Sequence, residues 1–493
     1  MKETISRREF MEKTVASTLV GAGAVKSLVG DDNINPPTNL RLKKDKKTLS
    51  IDDFVFEGWF RLPYIQPYPG YDLDFMFSTG ALATRVVGGK RHFFMTSHIY
   101  KQACVEFADP EIYSKTMDAT TPQSNLIRLW GDIYHKQHLV QNDGGERLET
   151  PSVYGYFWDG GKLWWQTARS YNAGSAFNDP CLGCSILNDD GTSVAYGQWR
   201  IAPYGTFRYC NFITEIPKDF AKNYLKGQTH GIGANNEHSG YQSTPYGPNL
   251  NAFAFPSIKT PPDIYNIDKY TGTASINALP LVGYDIDHRL NVPARRYRRD
   301  TKACVVYPLP GVGSEEIASY WAEQLDETGT CTWIDLPDKQ GVVWFGLLVD
   351  VKPGYKAPGD PDGLPHYGYD SPIGGSEGRP AGHCCHGQDD PYWESNGPFA
   401  HSRVPWVFIM DPSQFVPIIN GKQKPWDAKP HSLFRLNKII ELSSHPSGRM
   451  PRRLFGGSVF DEERRLLFIS VGWMDPTTTY YPRPAIMVFR IKE

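Results

Sequence analysis

The chain has 493 residues, 40% of them hydrophobic, and a formal net charge of −2 at pH 7. That length admits one large core or two, while the near balance of charge excludes the basic footprint of a nucleic-acid binder or of a protein held electrostatically on an anionic membrane. Aromatic residues reach 13%, and 46 glycines with 39 prolines make roughly one residue in six, a composition of aromatic strands broken by frequent turns.

In chain order, residues 1–30 place Ser6-Arg7-Arg8-Glu9-Phe10-Met11 ahead of a weakly apolar run from Val15 to Val25, with small residues at Ala22-Gly23-Ala24. This pattern resembles a bacterial twin-arginine export signal, which implies a mature protein that starts near residue 25, works in the periplasm or outside the cell, and crosses the membrane folded. An amphipathic N-terminal helix is the alternative. The run is short of the ~20 apolar residues a spanning helix needs, and no later run reaches that length, so no stable membrane span is expected. Residues 31–52 are polar, proline-bearing and without periodicity, the character of a linker. A domain over 53–493 remains.

Within that domain, three segments share one syntax: GALATRVVGGKRHFFMTSHIYKQACVEF (80–107), VYGYFWDGGKLWWQTARSYNAG (153–174), and LFGGSVFDEERRLLFISVGWMD followed by RPAIMVFRI (454–491). Each has a strand, a tight turn such as GGK, DGGK or FDEERR, and a second strand of large apolar residues. A fourth copy, GVVWFGLLVDVKPG followed much later by PWVFIMDP, carries a long insertion. The turns predict antiparallel pairs and the alternation predicts sheets covered on both faces. Helical spacing is confined to KDFAKNYLK (218–226) and SEEIASYWAEQLDE (314–327). Irregularly spaced repeats of this kind predict an all-β fold, a β-propeller of five to seven blades with long loop insertions and few short helices. A pair of irregular sandwiches is the competing architecture. The fold should close by pairing a strand near 54–60 with Ala485–Ile491.

The last copy, with Gly456, Gly457, Asp461, Leu466 to Ser470, Pro484, Ile486, Val488 and Phe489, resembles the final blade of a large group of secreted bacterial β-propeller proteins. That resemblance implies architecture and leaves chemistry open, because the fold hosts hydrolases, lyases, oxidoreductases and binders.

Four polar clusters are candidate sites. YDLDF puts Asp72 and Asp74 on one side of a strand, paired carboxylates suited to glycoside chemistry or to calcium. The loop 230–249 carries His230, Asn235, Asn236, Glu237 and His238 among glycines, a set of donors, acceptors and proton-transfer groups. RRYRRD (295–300) presents Arg296 and Arg298 on one strand face, where they would grip a carboxylate or sulfate or simply be solvated. AGHCCHGQDD (381–390) sets His383, Cys384, Cys385 and His386 side by side. Four consecutive residues seldom converge on one tetrahedral ion, so a zinc half-site there would need Cys181 and Cys184, whose CxxC spacing suits a knuckle. Disulfides are the competing expectation for an exported chain with eight cysteines, and are preferred here.

No Walker loop, GxSxG elbow, HExxH helix, Rossmann glycine fingerprint or Asp-box repeat is present. Three functions stay open: a binder of carbohydrate or cell-wall glycan, with or without its cleavage, in which Asp74 and Glu237 would be base and acid and Trp158, Trp164, Trp165, Trp199, Trp393 or Trp473 stacking surfaces; a non-catalytic surface scaffold; and a metal or redox enzyme. The cofactor is unknown, with Ca²⁺ or Zn²⁺ the ions these residue types admit. The partner expected is a polysaccharide or glycan, and the oligomeric state is not encoded in any motif.

Overall fold

Pairs of glycines turn the strands where the sequence places them. In the computed structural model, Leu82–Val87 and Lys90–Thr96 join through Gly88 and Gly89, both with positive φ (58° and 78°), and Ser152–Asp159 joins Lys162–Ala168 through Gly160 and Gly161 at 50° and 96°. Positive φ at both central residues is what a two-residue hairpin loop needs, and glycine adopts it without a Cβ clash. The structure describes residues 46–65, 74–98, 101–136, 138–141, 148–169, 179–233, 245–258, 275–285, 287, 288, 290, 327–350, 402–440, 442, 454–477 and 483–493.

The described strands form five sheets of four or five strands and one small two-stranded sheet, Val140–Gln141 with Leu148–Glu149. Blade 1 is Leu82–Val87, Lys90–Thr96, Cys104–Ala108 and Leu126–Gly131. Blade 2 is Ser152–Asp159, Lys162–Ala168, Leu182–Leu187 and Ser193–Ala202, with Ser275–Asn277 added in parallel. Blade 3 is Phe212–Glu215, His230–Gly233, Leu250–Phe253 and Leu279–Val282. Blade 4 is Glu327–Asp335, Lys339–Asp350, Ser402–Met410 and Ser432–Arg435. Blade 5 is Phe455–Asp461, Leu466–Asp475, Arg483–Ile491 and, as its outermost strand, Phe54–Arg61. The first strand of each blade touches the first strands of the two blades beside it, so five inner strands surround one axis. This is a five-bladed β-propeller.

Strand alternation explains the packing. In Lys90–Thr96, Phe93 and Met95 face blade 5, meeting Phe60, Phe468, Ile486 and Val488, while Phe94 faces blade 2 beside Val153, Leu163 and Trp165. Trp164, Leu182 and Trp199 of blade 2 pack on Ile213, Ile232 and Phe253 of blade 3. Phe345, Val407 and Ile409 of blade 4 pack on Leu467, Ile469 and Phe489 of blade 5. Between blades 3 and 4 the helix Lys218–Tyr224, predicted from its spacing, sets Phe220 against Trp333 with ring centroids 4.9 Å apart. The second predicted helix, 314–327, lies outside the described residues except for Glu327, which begins a strand.

The expected closure is present. Phe54 pairs with Ile491 and the register runs to Arg61 opposite Ala485, so the first and last strands of the described fold complete one blade. Ion pairs then clamp blade 5 to blade 1: Asp461 meets both Arg91 (2.7 Å) and Arg464 (2.6 Å), and Arg464 reaches Asp109 at 2.7 Å. The fold also begins earlier than residue 53. Lys47–Thr48 pairs in parallel with the second strand of blade 4, Ile51–Asp53 forms a 3₁₀ turn, and Lys46 and Asp53 make ion pairs to Asp335 and Lys339 at 2.7 and 3.0 Å. The polar residues taken for linker therefore face charged partners on blade 4. Among the described residues Cys104, Cys181, Cys184 and Cys331 are buried free thiols, which corrects the disulfide expectation for these four. Cys304, Cys384 and Cys385 lie outside the described residues. No described helix is long and apolar enough to cross a membrane.

Candidate functional site at one end of the axis

All five inner strands start at the same end of the axis, here termed the upper end. Their first residues touch one another there: Thr79 Oγ1 donates to the Val153 carbonyl, Asn211 Nδ2 donates to the Gly329 carbonyl, and Gly456 lies against Gly80. A Cβ on Gly456 would stand 2.6 Å from the Gly80 oxygen and 2.7 Å from its Cα. Glycine is required by that approach, and the upper end is floored by backbone. In each antiparallel blade the connection between the second and third strands, and the one leading into the next blade, return to this end. Of the stretches outside the described residues, 234–244, 291–326 and 351–401 are bounded on both sides by such strands.

Where blades 5 and 1 adjoin, Asp74 sits in the connection that leads into blade 1. Its Oδ1 accepts from the Met76 backbone at 3.0 Å, its carbonyl accepts from His98 N–H at 2.7 Å, and Oδ2 lies 3.4 Å from Arg483 Nη2. Phe77 follows, 42% exposed, with its ring edge-on to His98 (5.7 Å) and to Trp473 (6.4 Å). Phe77 (φ 52°) and Trp473 (φ 62°) both adopt left-handed backbone. For bulky residues that conformation costs of order 1–3 kcal/mol each and persists only where the surroundings hold it. Arg483 Cζ stands 5.8 Å over the ring of Tyr64, which is 57% exposed. Thus a carboxylate, a guanidinium and three aromatic rings converge on one patch from the connection 62–81, the Ser97–Ala103 loop of blade 1 and both ends of the 475–483 loop of blade 5.

Of the residues the sequence singled out, Asp74 and Trp473 meet here. Asp72, Asn235, Asn236, Glu237, His238, Arg296, Arg298, Trp393, His383, Cys384, Cys385 and His386 lie outside the described residues. His230 does not share their loop. It starts the strand His230–Gly233 opposite Glu215, at the lower end, wedged against Phe157 and Phe255 with centroids 4.9 and 4.3 Å away. Burial there pushes its pKa down to about 4, against the pull of Asp159.

Cys181 and Cys184 lie along extended chain and not in a turn. Cys184 lies within the extended strand Leu182–Leu187 and Cys181 directly precedes it; three residues of strand separate their Cα atoms by ~10 Å, where a knuckle folds them together. Burial pushes both thiols up, Cys184 to about 12 despite nearby Lys162. Among the described residues no group of three His, Cys, Asp or Glu is placed to hold a metal.

Trp164, Trp165 and Trp199 are core residues, and Trp158 stacks on Phe94 at 5.1 Å between blades 1 and 2. Sequence reasoning missed Tyr64, Phe77, His98 and Arg483. Nothing in MFSTG marks Phe77 as left-handed, and Arg483 reads as an ordinary strand residue beside Pro484.

Comparisons with known proteins add the following. No protein-family model matches the chain, and no curated protein does. Among solved structures, it is similar to a glycoside hydrolase candidate from Parabacteroides distasonis, at 14% identity and a TM-score of 0.35 over 89% of this chain and 98% of the other. It is similar to a structure from work on the GH130 family of mannoside phosphorylases, described as containing glycoside hydrolases that target β-1,2 mannosidic linkages in Candida mannan, at 11% identity and a TM-score of 0.35 over 91% and 97%. A member of the duf4221 family from Bacteroides vulgatus matches at 9% identity and a TM-score of 0.31 over 89% and 98%. Likenesses of this strength do not carry an activity from one chain to another.

Proposed function

We propose that the upper end binds carbohydrate at the junction of blades 5 and 1, with Asp74 as the acid–base group of a glycoside-cleaving site. The observation that carries the reading is the Asp74–Arg483 pair ringed by Phe77, Trp473 and the exposed Tyr64. A sugar ring offers an apolar C–H face to an aromatic side chain and hydroxyls to a carboxylate–guanidinium pair, so this combination suits it. Glu237 is the second carboxyl group proposed for catalysis, and the separation of the two would decide between retention and inversion. The same reading has the chain act outside the cytoplasm after twin-arginine export. A metal or redox role would rest on His383, Cys384, Cys385 and His386 with Cys181 and Cys184, and elemental analysis of the purified chain decides it.

The test is a glycan array followed by calorimetric titration of the best hit. Phe77→Ala and Tyr64→Ala should weaken binding about tenfold each, whereas Asp74→Asn and Glu237→Gln should keep binding and lose turnover. A wild-type chain that holds no carbohydrate in either format sinks the proposal.

A further inference from the structure

Across the axis from that junction stands blade 3, and Arg208 lies in the connection that leads into it. The guanidinium is part-buried. Its Cζ sits 4.5 Å over the Tyr204 ring, and Nη2 gives one hydrogen bond, 3.4 Å to the Tyr284 carbonyl. Gly283 presents no side chain towards Nη1: a Cβ placed there would lie 3.6 Å from it. Tyr209, Tyr246 and Asp285 are its further neighbours, and burial pushes its pKa down even against Tyr204, Tyr209 and Asp285. Three upper-end connections therefore surround it: 203–211, the segment from Pro245 that enters the third strand of blade 3, and the one leaving Val282.

No carboxylate lies within ion-pair distance of Arg208 among the described residues, and Asp285 acts on it only from farther away. Three other sheltered arginines of the propeller each have one: Arg85 has Glu106, Arg91 has Asp461, and Arg169 has Asp179, each at 2.7 Å. A guanidinium has five donors and cannot shed its charge, so one drawn out of water with a single long bond is incomplete without an anion. The planar fork matches two oxygens of a carboxylate or sulfate.

We infer that Arg208 anchors a binding site for an oxyanion, a carboxylate or sulfate group, among the tyrosines at the upper end of blade 3. The anion has two natural sources, a free ion or an acidic sugar lying across the mouth. The inference goes beyond the carbohydrate reading and does not depend on it.

The experiment uses the full chain. Thermal melts and calorimetric titrations in sodium sulfate and sodium acetate, against sodium chloride at matched ionic strength, read the anion directly. Titration with a uronate oligosaccharide against a neutral one of equal length reads its source. Wild type should bind sulfate or acetate beyond the chloride control, and Arg208→Gln should weaken that binding about 10- to 100-fold. Arg208→Lys, which keeps the charge and loses the fork, should fall between the two and serves as the readout if the glutamine variant fails to fold. Sulfate binding that vanishes with Arg208 supports the site even if no sugar binds, and uronate binding that needs Arg208 assigns the acidic-sugar source. The inference is overturned if wild type discriminates neither anion from chloride, or if the folded Arg208 variants bind them as wild type does.

Discussion

Glu106 offers the sharpest test of how the blades are held. Its carboxylate is wholly buried in blade 1 and accepts four bonds: Arg85 Nε at 2.8 Å, Arg85 Nη2 at 2.9 Å, His92 Nδ1 at 2.8 Å and Trp130 Nε1 at 3.0 Å. Arg85 in turn lies against the stacked rings of Phe94 and Trp158, 5.3 and 5.1 Å from their centroids, and so links blade 1 to blade 2. In Glu106→Gln one oxygen becomes an NH₂ that faces donors, which breaks about half of these bonds and leaves Arg85 without its counter-ion. Breaking a buried pair from one side costs roughly 3–5 kcal/mol. Urea unfolding followed by tryptophan fluorescence should report that loss. Replacing both partners, as in Glu106→Leu with Arg85→Met, should cost clearly less than the two single changes added together, because no buried charge is then left alone. A Glu106→Gln chain within about 1 kcal/mol of wild type would refute the reasoning.

Removal of Pro484–Glu493 takes away the strand that pairs with both Phe54–Arg61 and Leu466–Asp475, so the whole propeller should lose its cooperative melt; a truncated chain melting at the original temperature counts against closure. His138 is buried, its Nδ1 has no partner, and burial pushes its pKa from 6.5 down to about 4 although Asp132 pulls it up. The unfolded chain therefore takes up the proton first: stability is full above the unfolded value and falls by up to ~3 kcal/mol as pH drops towards 4. His138→Phe should roughly halve the slope in urea titrations between pH 4.5 and 7.5, leaving the comparable step due to His230, and an unchanged slope would remove the explanation. Gly456→Ala drives a methyl group into the Gly80 backbone and should cost more than about 2 kcal/mol by chemical denaturation; a neutral result would mean that the inner strands can move apart.

The sequence carried the blades because each depends on local chemistry: paired glycines for hairpins, alternating apolar residues for faces, and a terminal strand with no partner of its own. It misplaced elements whose role depends on distant neighbours. Lys46 to Asp52 look like linker until the charges of blade 4 are opposite them. Cys181 and Cys184 look like a knuckle until the strand that contains Cys184 pairs with Lys162–Ala168. His230 looks like part of a polar loop until Gly231 to Gly233 are extended beside Phe212–Glu215. Asp74 was legible as a carboxylate of interest, but its surroundings were not, since Arg483 is 409 residues away in the chain and no spacing rule reaches so far.

The seam between Phe54–Arg61 and Arg483–Ile491 also sets the order in which the chain can acquire its shape. Loop closure over more than four hundred residues is entropically slow, and non-local strand pairing is reached late. During synthesis the early strand has no partner until Arg483–Ile491 emerges, so blades 1 to 4 can form their hairpins while the ring stays open and their end faces remain exposed. Closure is then a single late event, and a cell that keeps nascent chains from associating before that moment governs how much propeller it obtains.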